Sequence, residues 1–250
     1  MVQFQMKIAE KTAGVISLFD STPQYFRAYL TEDAPDFYIT VNESDLRFQQ
    51  AQLDQEALEE GFRLRVFTDP FLERAAIQQA FAEFLFDYNT LLLHGSTIAV
   101  DGNAYLFTAK SGTGKSTHTR LWREVFGPRA IMINDDKPFI KISDSAIEAF
   151  GSPWSGKHGL DTNISLPLSG ICLLERGVEN EICATTPEIL LPMLIKQTYA
   201  PENPDKHSRL HTLVTELAQK TPLWHLFCNK SPEAAQLAYE TMAKKSAGTI

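Results

Sequence analysis

The feature that most constrains this chain is residues 109–116, whose sequence is AKSGTGKS. Its glycines, lysine and final hydroxyl have the spacing of a phosphate-binding loop, the P-loop or Walker A motif. A strand-like apolar run precedes it at residues 104–108, and a helix-like run follows at residues 115–126, before Gly127 and Pro128. The motif needs this context, because its glycines direct backbone N–H groups toward phosphate at the helix N-terminus. The sequence therefore predicts a nucleoside triphosphate site.

The loop begins with Ala109, where the usual pattern has glycine. Its first turn must therefore form without a left-handed backbone at that residue. Lys115 would bring a positive charge to the phosphates, and Ser116 would supply a ligand for Mg²⁺. The alternative interpretation is a glycine-rich turn that binds no ligand. The predicted nucleotide-binding residues are Ser111, Gly112, Thr113, Gly114, Lys115, Ser116 and Thr117.

Composition narrows the possible partners. The 250 residues are 44% hydrophobic and 22% charged, a balance typical of a globular protein. Acidic residues (31) exceed basic ones (23), and no run of lysine or arginine offsets the net charge of −8, which argues against a nucleic-acid partner. Cys172, Cys183 and Cys228 lack metal-site spacing and predict reduced core thiols. Without a signal-peptide pattern or a run of about 20 apolar residues, we expect a cytoplasmic protein with no membrane partner.

Two regions are predicted along the chain. Residues 1–68 contain short strand-like pieces, such as residues 26–30 and 37–41, between polar stretches with turn residues. They predict a small N-terminal β-rich accessory region. Residues 69–250 form the predicted core, which starts with an amphipathic helix over residues 70–88.

The core is predicted to be a mixed α/β structure. A hairpin leads into the phosphate loop, because strand-like residues 91–94 and 97–100 are followed by a turn at residues 101–103. Further strands are predicted at residues 130–133, 139–142, 170–174, 182–184 and 223–227, and helices near residues 187–199, 208–220 and 232–245.

Asp135 and Asp136 come directly after an apolar strand. In a nucleotide site, one carboxylate can hold Mg²⁺ against the phosphates while another orients an acceptor hydroxyl and takes its proton. The alternative is an Asx-type turn that caps the strand. His94 ends another apolar run and would lie across from the strand that leads to the loop, close to a terminal phosphate or metal. The alternative for His94 is a core histidine.

Two further sets of side chains are candidates. Lys157 lies in a loop rich in glycine, proline and serine, so it could contact substrate; an exposed turn lysine is the alternative. His207 and His211 have i,i+4 spacing on a predicted helix but lack an evident third ligand, which favours a solvated helix face over a metal site.

The segment His94-Gly95-Ser96, the phosphate loop and Asp135-Asp136 resemble, in order and approximate spacing, the catalytic core of the HPr kinase/phosphorylase family. The same order is similar to the nucleotide site of ATP-dependent phosphoenolpyruvate carboxykinase. The resemblance covers about residues 90–175. It implies a P-loop kinase core with a curved mixed sheet that uses ATP and Mg²⁺.

The resemblance also implies roles for single residues. Lys115 and the loop amides would hold phosphate, and Ser116 and Asp136 would hold Mg²⁺. Asp135 would act on the acceptor hydroxyl, and His94 would assist near the transferred phosphoryl group.

The leading hypothesis is therefore an ATP-dependent, Mg²⁺-requiring kinase. Its acceptor would be a hydroxyl, either a serine of a small protein or peptide or a small-molecule alcohol. The chain lacks the basic, glycine-containing C-terminal signature of HPr kinases, so the acceptor is left open. Alternatives are an ATP-binding sensor or scaffold without turnover and a lyase of the carboxykinase type. The oligomeric state is also open, with a homo-oligomer among the alternatives.

Overall fold

The computed structural model describes residues 1–59 and 61–246. Its contacts divide the chain into two compact units, Met1–Leu85 and Phe86–Ile250. The boundary predicted between residues 68 and 69 lies before the helix Asp69–Phe86, whereas the contacts group most of this helix with the first unit.

The first unit combines a three-stranded sheet with helices. The strands β1 and β2 form an antiparallel hairpin, and β3 pairs in parallel with β2. Its elements are β1 (Val2–Ile8), β2 (Lys11–Ser17), α1 (Thr22–Tyr25), β3 (Phe37–Thr40), α2 (Glu43–Glu59) and α3 (Asp69–Phe86).

The β-rich description of this unit needs two corrections. Helix α2 was not predicted, and the strand predicted at residues 26–30 is wrong because Arg27–Tyr29 is a 3-10 turn. The unit has a polar anchor, since the buried Glu73 carboxylate accepts hydrogen bonds from the Leu18 N–H and the Thr22 hydroxyl. Tertiary contacts of this kind decide conformation where local alternation of apolar residues is ambiguous.

The second unit follows the predicted order of elements closely. The short strand β9 was missed. The other predicted helices and strands are confirmed with shifts of at most two residues at their ends, except that β10 begins five residues before the predicted start. The elements are β4 (Thr90–Leu92), β5 (Ser96–Val100), β6 (Asn103–Thr108), α4 (Lys115–Phe126), β7 (Ala130–Asn134), β8 (Phe139–Ile142), β9 (Ile147–Phe150), β10 (Ser165–Arg176), β11 (Glu181–Ala184), α5 (Pro187–Gln197), α6 (His207–Lys220), β12 (Leu223–Cys228) and α7 (Pro232–Ser246).

These nine strands form one mixed sheet. Its main path runs β4-β8-β9-β10-β6-β5-β7, and β12 also pairs with β10 and carries β11 at its other edge. Strand β10 pairs in parallel with β6 and β12, whereas the remaining pairs are antiparallel. The predicted mixed α/β architecture is therefore confirmed; the kinase type of this core remains a prediction.

The sheet is buried on both faces. Along β6, Ala104 and Leu106 belong to a core cluster that includes residues of α5 and α6, while Tyr105 and Phe107 belong to a cluster that includes residues of α4 and α7. This alternation follows from the two-residue period of a strand. Helices therefore cover both faces, and the loop between β6 and α4 leaves the sheet at one edge.

Two predictions from composition bear on the fold. In the parts of the chain that the structure describes, no helix has the length and apolar character that a membrane span requires. All three cysteines are free thiols, but only Cys172 is buried in the core. Cys183 is exposed, which corrects the prediction of three core thiols, because β11 is an edge strand with a largely exposed pattern.

Candidate active site

The phosphate-loop motif lies between a buried strand and a helix N-terminus. Gly112 and Gly114 have φ angles of +74° and +128°. Residues other than glycine rarely adopt this region of backbone conformation. Ala109 is buried and is not among the residues with positive φ, so alanine fits there without backbone strain. Gly114 precedes the first residue of α4 and has no side chain to cap the helix. The first turn of α4 also lacks acidic residues, which leaves its N-terminus suited to an anion.

Lys115 is the first residue of α4 and is buried. Its Nζ atom lies 3.3 Å from the carbonyl oxygen of Ala109, so the side chain folds back along the loop. At the other side of the loop, the exposed Arg176 of β10 donates hydrogen bonds to the carbonyl oxygens of Gly112 (2.7 Å) and Thr113 (3.3 Å). The contact of Arg176 depends on the parallel pairing of β10 with β6, so no local sequence signal predicts it.

Sheet topology brings three chain segments to the same edge. Strand β5 is antiparallel to both β6 and β7, with Ser96 opposite Phe107 and Thr97 opposite Asn134. The start of β5 therefore lies beside the ends of β6 and β7. As a result, three parts of the chain converge: the segment containing His94, the phosphate loop and the aspartate pair. Their order in the sequence alone does not establish this convergence.

Asp135 is the inner carboxylate of the site. It is buried, and its Oδ1 accepts a hydrogen bond of 2.7 Å from the hydroxyl of Ser96. The hydroxyl of Thr119 lies 3.5 Å from the same oxygen and 2.8 Å from the Ser96 hydroxyl. Thr119 follows Ser116 by three residues, so both project from the same face of α4. Asp135 is thus fixed against the first turns of the helix that begins at the loop.

Asp136 is the outer carboxylate and pairs with His94. Their Oδ1 and Nε2 atoms lie 3.2 Å apart, and each side chain is about one-third exposed. Burial lowers the pKa of His94, as do the positive charges of Lys137 and Lys115, and these effects outweigh the hydrogen bond to Asp136. Burial raises the pKa of Asp136, but the hydrogen bond from His94 and the charges of the same lysines outweigh it and lower the pKa overall.

The pair therefore consists of a neutral imidazole and an ionised carboxylate at neutral pH. In this state His94 donates its Nε2 proton to Asp136. The backbone supports the arrangement, since the N–H of His94 donates to the Gln197 carbonyl (2.7 Å) and the N–H of Gly95 donates to the Asp136 carbonyl (3.0 Å). His94 is thus not a fully buried core histidine, because its side chain is partly exposed and pairs with a carboxylate.

Asn134, which was not among the predicted site residues, organises the turn that carries the aspartate pair. Its buried side chain accepts hydrogen bonds from the N–H groups of Asp136 (2.8 Å) and Lys137 (2.6 Å). Its Nδ2 donates to the carbonyl oxygen (2.7 Å) and hydroxyl (3.0 Å) of Ser152. An Asx turn is present, as one interpretation of the motif required, but Asn134 forms it. Both aspartate side chains are left available for other contacts.

The loop after β9 packs on the outer carboxylate. Gly156 has a φ angle of +68°, and a Cβ atom at this residue would lie 3.2 Å from the Cβ of Asp136. Lys157 follows directly and is exposed. Lys157, the predicted substrate-contacting residue, is therefore the chain neighbour of the glycine that packs on Asp136. The predicted histidine pair lies elsewhere on α6, where His207 Nε2 is 2.9 Å from the Pro201 carbonyl oxygen.

Within residues 1–59 and 61–246, no group of three or more histidine, cysteine, aspartate or glutamate side chains is arranged to enclose a metal ion. Magnesium in a nucleotide site needs no such group, because one or two carboxylates, water and the phosphates supply its ligands. An ion held by Ser116 and the aspartate pair would therefore take its remaining ligands from water and phosphate.

No family model matches the sequence, and no curated protein matches it. Among solved structures, the HPr(Ser) kinase/phosphatase from Coxiella burnetii is similar with a TM-score of 0.36 and 11% identity, over 62% of this chain and 95% of that chain. A similarity this low assigns neither a fold nor a function.

Proposed function

We propose that the protein is an ATP-dependent, Mg²⁺-requiring phosphotransferase that phosphorylates a hydroxyl group. The convergence of the phosphate loop with two carboxylates and a neutral histidine carries this proposal. Phosphoryl transfer requires mainly positioning and charge neutralisation, and these groups supply both.

The loop would hold the triphosphate. Backbone N–H groups at the start of α4 would donate to the phosphates, and Lys115 would neutralise their charge. The nucleotide-binding residues proposed here are Ser111, Gly112, Thr113, Gly114, Lys115, Ser116 and Thr117. Magnesium would reduce the negative charge on the phosphates when bound.

The contacts favour Asp135, together with Ser116, as the magnesium ligand. Asp135 is buried against Thr119, which shares a helix face with Ser116. Asp136 is more accessible and is polarised by His94, as suits a group that meets an incoming acceptor. This division is the reverse of the one implied by the sequence resemblance, which gave magnesium to Asp136 and the acceptor to Asp135.

In the proposed reaction, the acceptor oxygen forms a bond to the γ-phosphorus as the bond between that phosphorus and the bridging β–γ oxygen breaks. ADP leaves with the electron pair of the broken bond, and the hydroxyl proton passes to Asp136. His94 orients Asp136 through its Nε2–H, while Lys115 stabilises charge on the transferred group.

The acceptor would be a serine of a small protein or peptide or a small-molecule alcohol. Lys157 is proposed to contact it, because the neighbouring Gly156 packs on Asp136.

The free cysteines are in keeping with a cytoplasmic location.

The test uses ATP labelled in the γ-phosphoryl group, Mg²⁺ and a fractionated cell extract as the source of acceptors. The purified protein should transfer label to at least one fraction, and Asp136→Asn should reduce transfer about 100-fold. The exposed Asp144→Asn is the matched control and should retain transfer. Tight ATP binding without any Asp136-dependent transfer would instead identify a sensor or scaffold.

A further inference from the structure

A cavity of about 350 Å³ adjoins the phosphate loop within the second unit. Its volume lies in the range of about 300–1,000 Å³ that is usual for small-molecule sites. The end of the loop, one face of α4 and the ends of β10 and β12 form its walls. The lining residues that matter here are Gly114, Thr117, His118, Leu121, Leu174 and Cys228.

The cavity lies on the opposite side of α4 from the carboxylates. At about 100° per residue, Thr117, His118 and Leu121 share one face of the helix. Thr119, whose hydroxyl reaches toward Asp135, projects from the opposite face. A triphosphate held across the helix N-terminus with its γ-phosphate near the carboxylates would therefore direct its other end toward the cavity.

His118 lines the cavity, and one of its two ring nitrogens is buried without a partner among the described residues. Its Nε2 accepts a hydrogen bond of 3.0 Å from the indole N–H of Trp122, so the neutral ring carries its proton on Nδ1. The side chain is 2% exposed, and its Nδ1 has no hydrogen-bond partner among the residues that the structure describes. A buried N–H without an acceptor is unfavourable, and a ligand acceptor would remove that cost.

We propose that this cavity binds the nucleoside of the triphosphate whose phosphates the loop holds. This inference rests on the proposed function and deepens it. Leu121 and Leu174 would contact the faces of the base. Because Nδ1 of His118 is itself buried, its ring would turn toward the cavity for a ring nitrogen or carbonyl of the base to accept its proton. Because inorganic tripolyphosphate has no nucleoside, it would occupy the loop and leave the cavity empty.

Cys228 and Cys183 allow a direct test on the intact protein. Both are free thiols, but only Cys228 lines the cavity, and Cys183 is exposed on β11. Alkylation by N-ethylmaleimide, followed at each cysteine by mass spectrometry, should be slowed at Cys228 by Mg²⁺ and ATP. At an ATP concentration about ten times its Kd, the rate should fall about tenfold. Cys183 should react at an unchanged rate, and tripolyphosphate should protect neither thiol.

Two variants measure the same site by affinity. Cys228→Trp, which fills the cavity, should weaken ATP binding about tenfold or more. His118→Phe removes the Nδ1 donor, and also the acceptor of the Trp122 N–H, and should weaken ATP binding several-fold. Both should bind tripolyphosphate as the unaltered protein does, which also verifies that they fold. If ATP and tripolyphosphate bind but ATP neither protects Cys228 nor loses affinity in the variants, the cavity proposal is wrong and the proposed function stands. If neither compound binds, both proposals fail.

Discussion

At the scale of single residues, the two aspartates differ in burial and partners and should therefore differ in function. Asp135→Asn should raise the Mg²⁺ concentration needed for half-maximal transfer at least tenfold, because Asp135 is the proposed ligand beside Ser116. Asp136→Asn should leave that concentration unchanged and lower the transfer rate about 100-fold. Titrating Mg²⁺ for both variants at saturating ATP measures the difference. The opposite pattern would restore the division of roles implied by the sequence resemblance.

His118 makes a second residue-scale prediction, for stability against pH. Burial lowers the pKa of His118 to about 3, below its ordinary value near 6.5. At pH values between about 3 and 6.5, His118 binds a proton in the unfolded chain but not in the folded protein. The free energy of unfolding therefore falls as pH falls through this range. The expected slope is about 1.4 kcal/mol per pH unit, and His118→Leu should lack it.

Urea unfolding between pH 7 and 4 tests this slope. The stability of the unaltered protein relative to His118→Leu should fall steadily with pH below about 6. The exposed His158→Leu serves as the control and should follow the unaltered protein. A stability difference that is independent of pH would show that His118 takes up its proton in the folded protein too.

At the scale of elements, the turn after β7 determines where the carboxylates lie. Asn134→Ala would leave the N–H groups of Asp136 and Lys137 and the Ser152 carbonyl without this partner. We expect a loss of about 2–5 kcal/mol in the free energy of unfolding, measured in urea, together with reduced phosphoryl transfer. Asn42→Ala, at an exposed Asx turn, should cost about 1 kcal/mol or less. Equal effects of the two substitutions would contradict the role given to Asn134.

Most elements of the second unit could be predicted because their signals are local. The hairpin β5–β6, the loop and α4 have apolar periodicity and turn residues that identify them without tertiary information. Helix α2 was missed because its polar sequence lacks a broad apolar stripe. Strand β9 was missed because two of its four residues are glutamate and alanine, which are depleted in strands. The contacts of Asn134 and Arg176 join residues distant in sequence, so only the sheet pairing reveals them.

At the scale of the whole molecule, the candidate site belongs to one unit. Every residue proposed for it lies within Phe86–Ile250, whereas Glu73 anchors the unit Met1–Leu85. Glu73→Ala should therefore increase hydrogen exchange in β1 and β2 while leaving exchange in β5 and β6, and ATP affinity, largely unchanged. Hydrogen exchange followed by mass spectrometry measures this, and an equal increase in both units would show that their stabilities are coupled.

The central claim is that the loop and the groups beside it transfer the γ-phosphoryl group of ATP. The most direct measurement is the rate of ADP formation from Mg²⁺ and ATP in the presence of an acceptor fraction, for the unaltered protein and Lys115→Ala. We expect Lys115→Ala to lower this rate at least 100-fold, because its charge stabilises the transferred group. The exposed Lys244→Ala should keep the full rate. Equal rates of ADP formation in Lys115→Ala and the unaltered protein would contradict the proposed function.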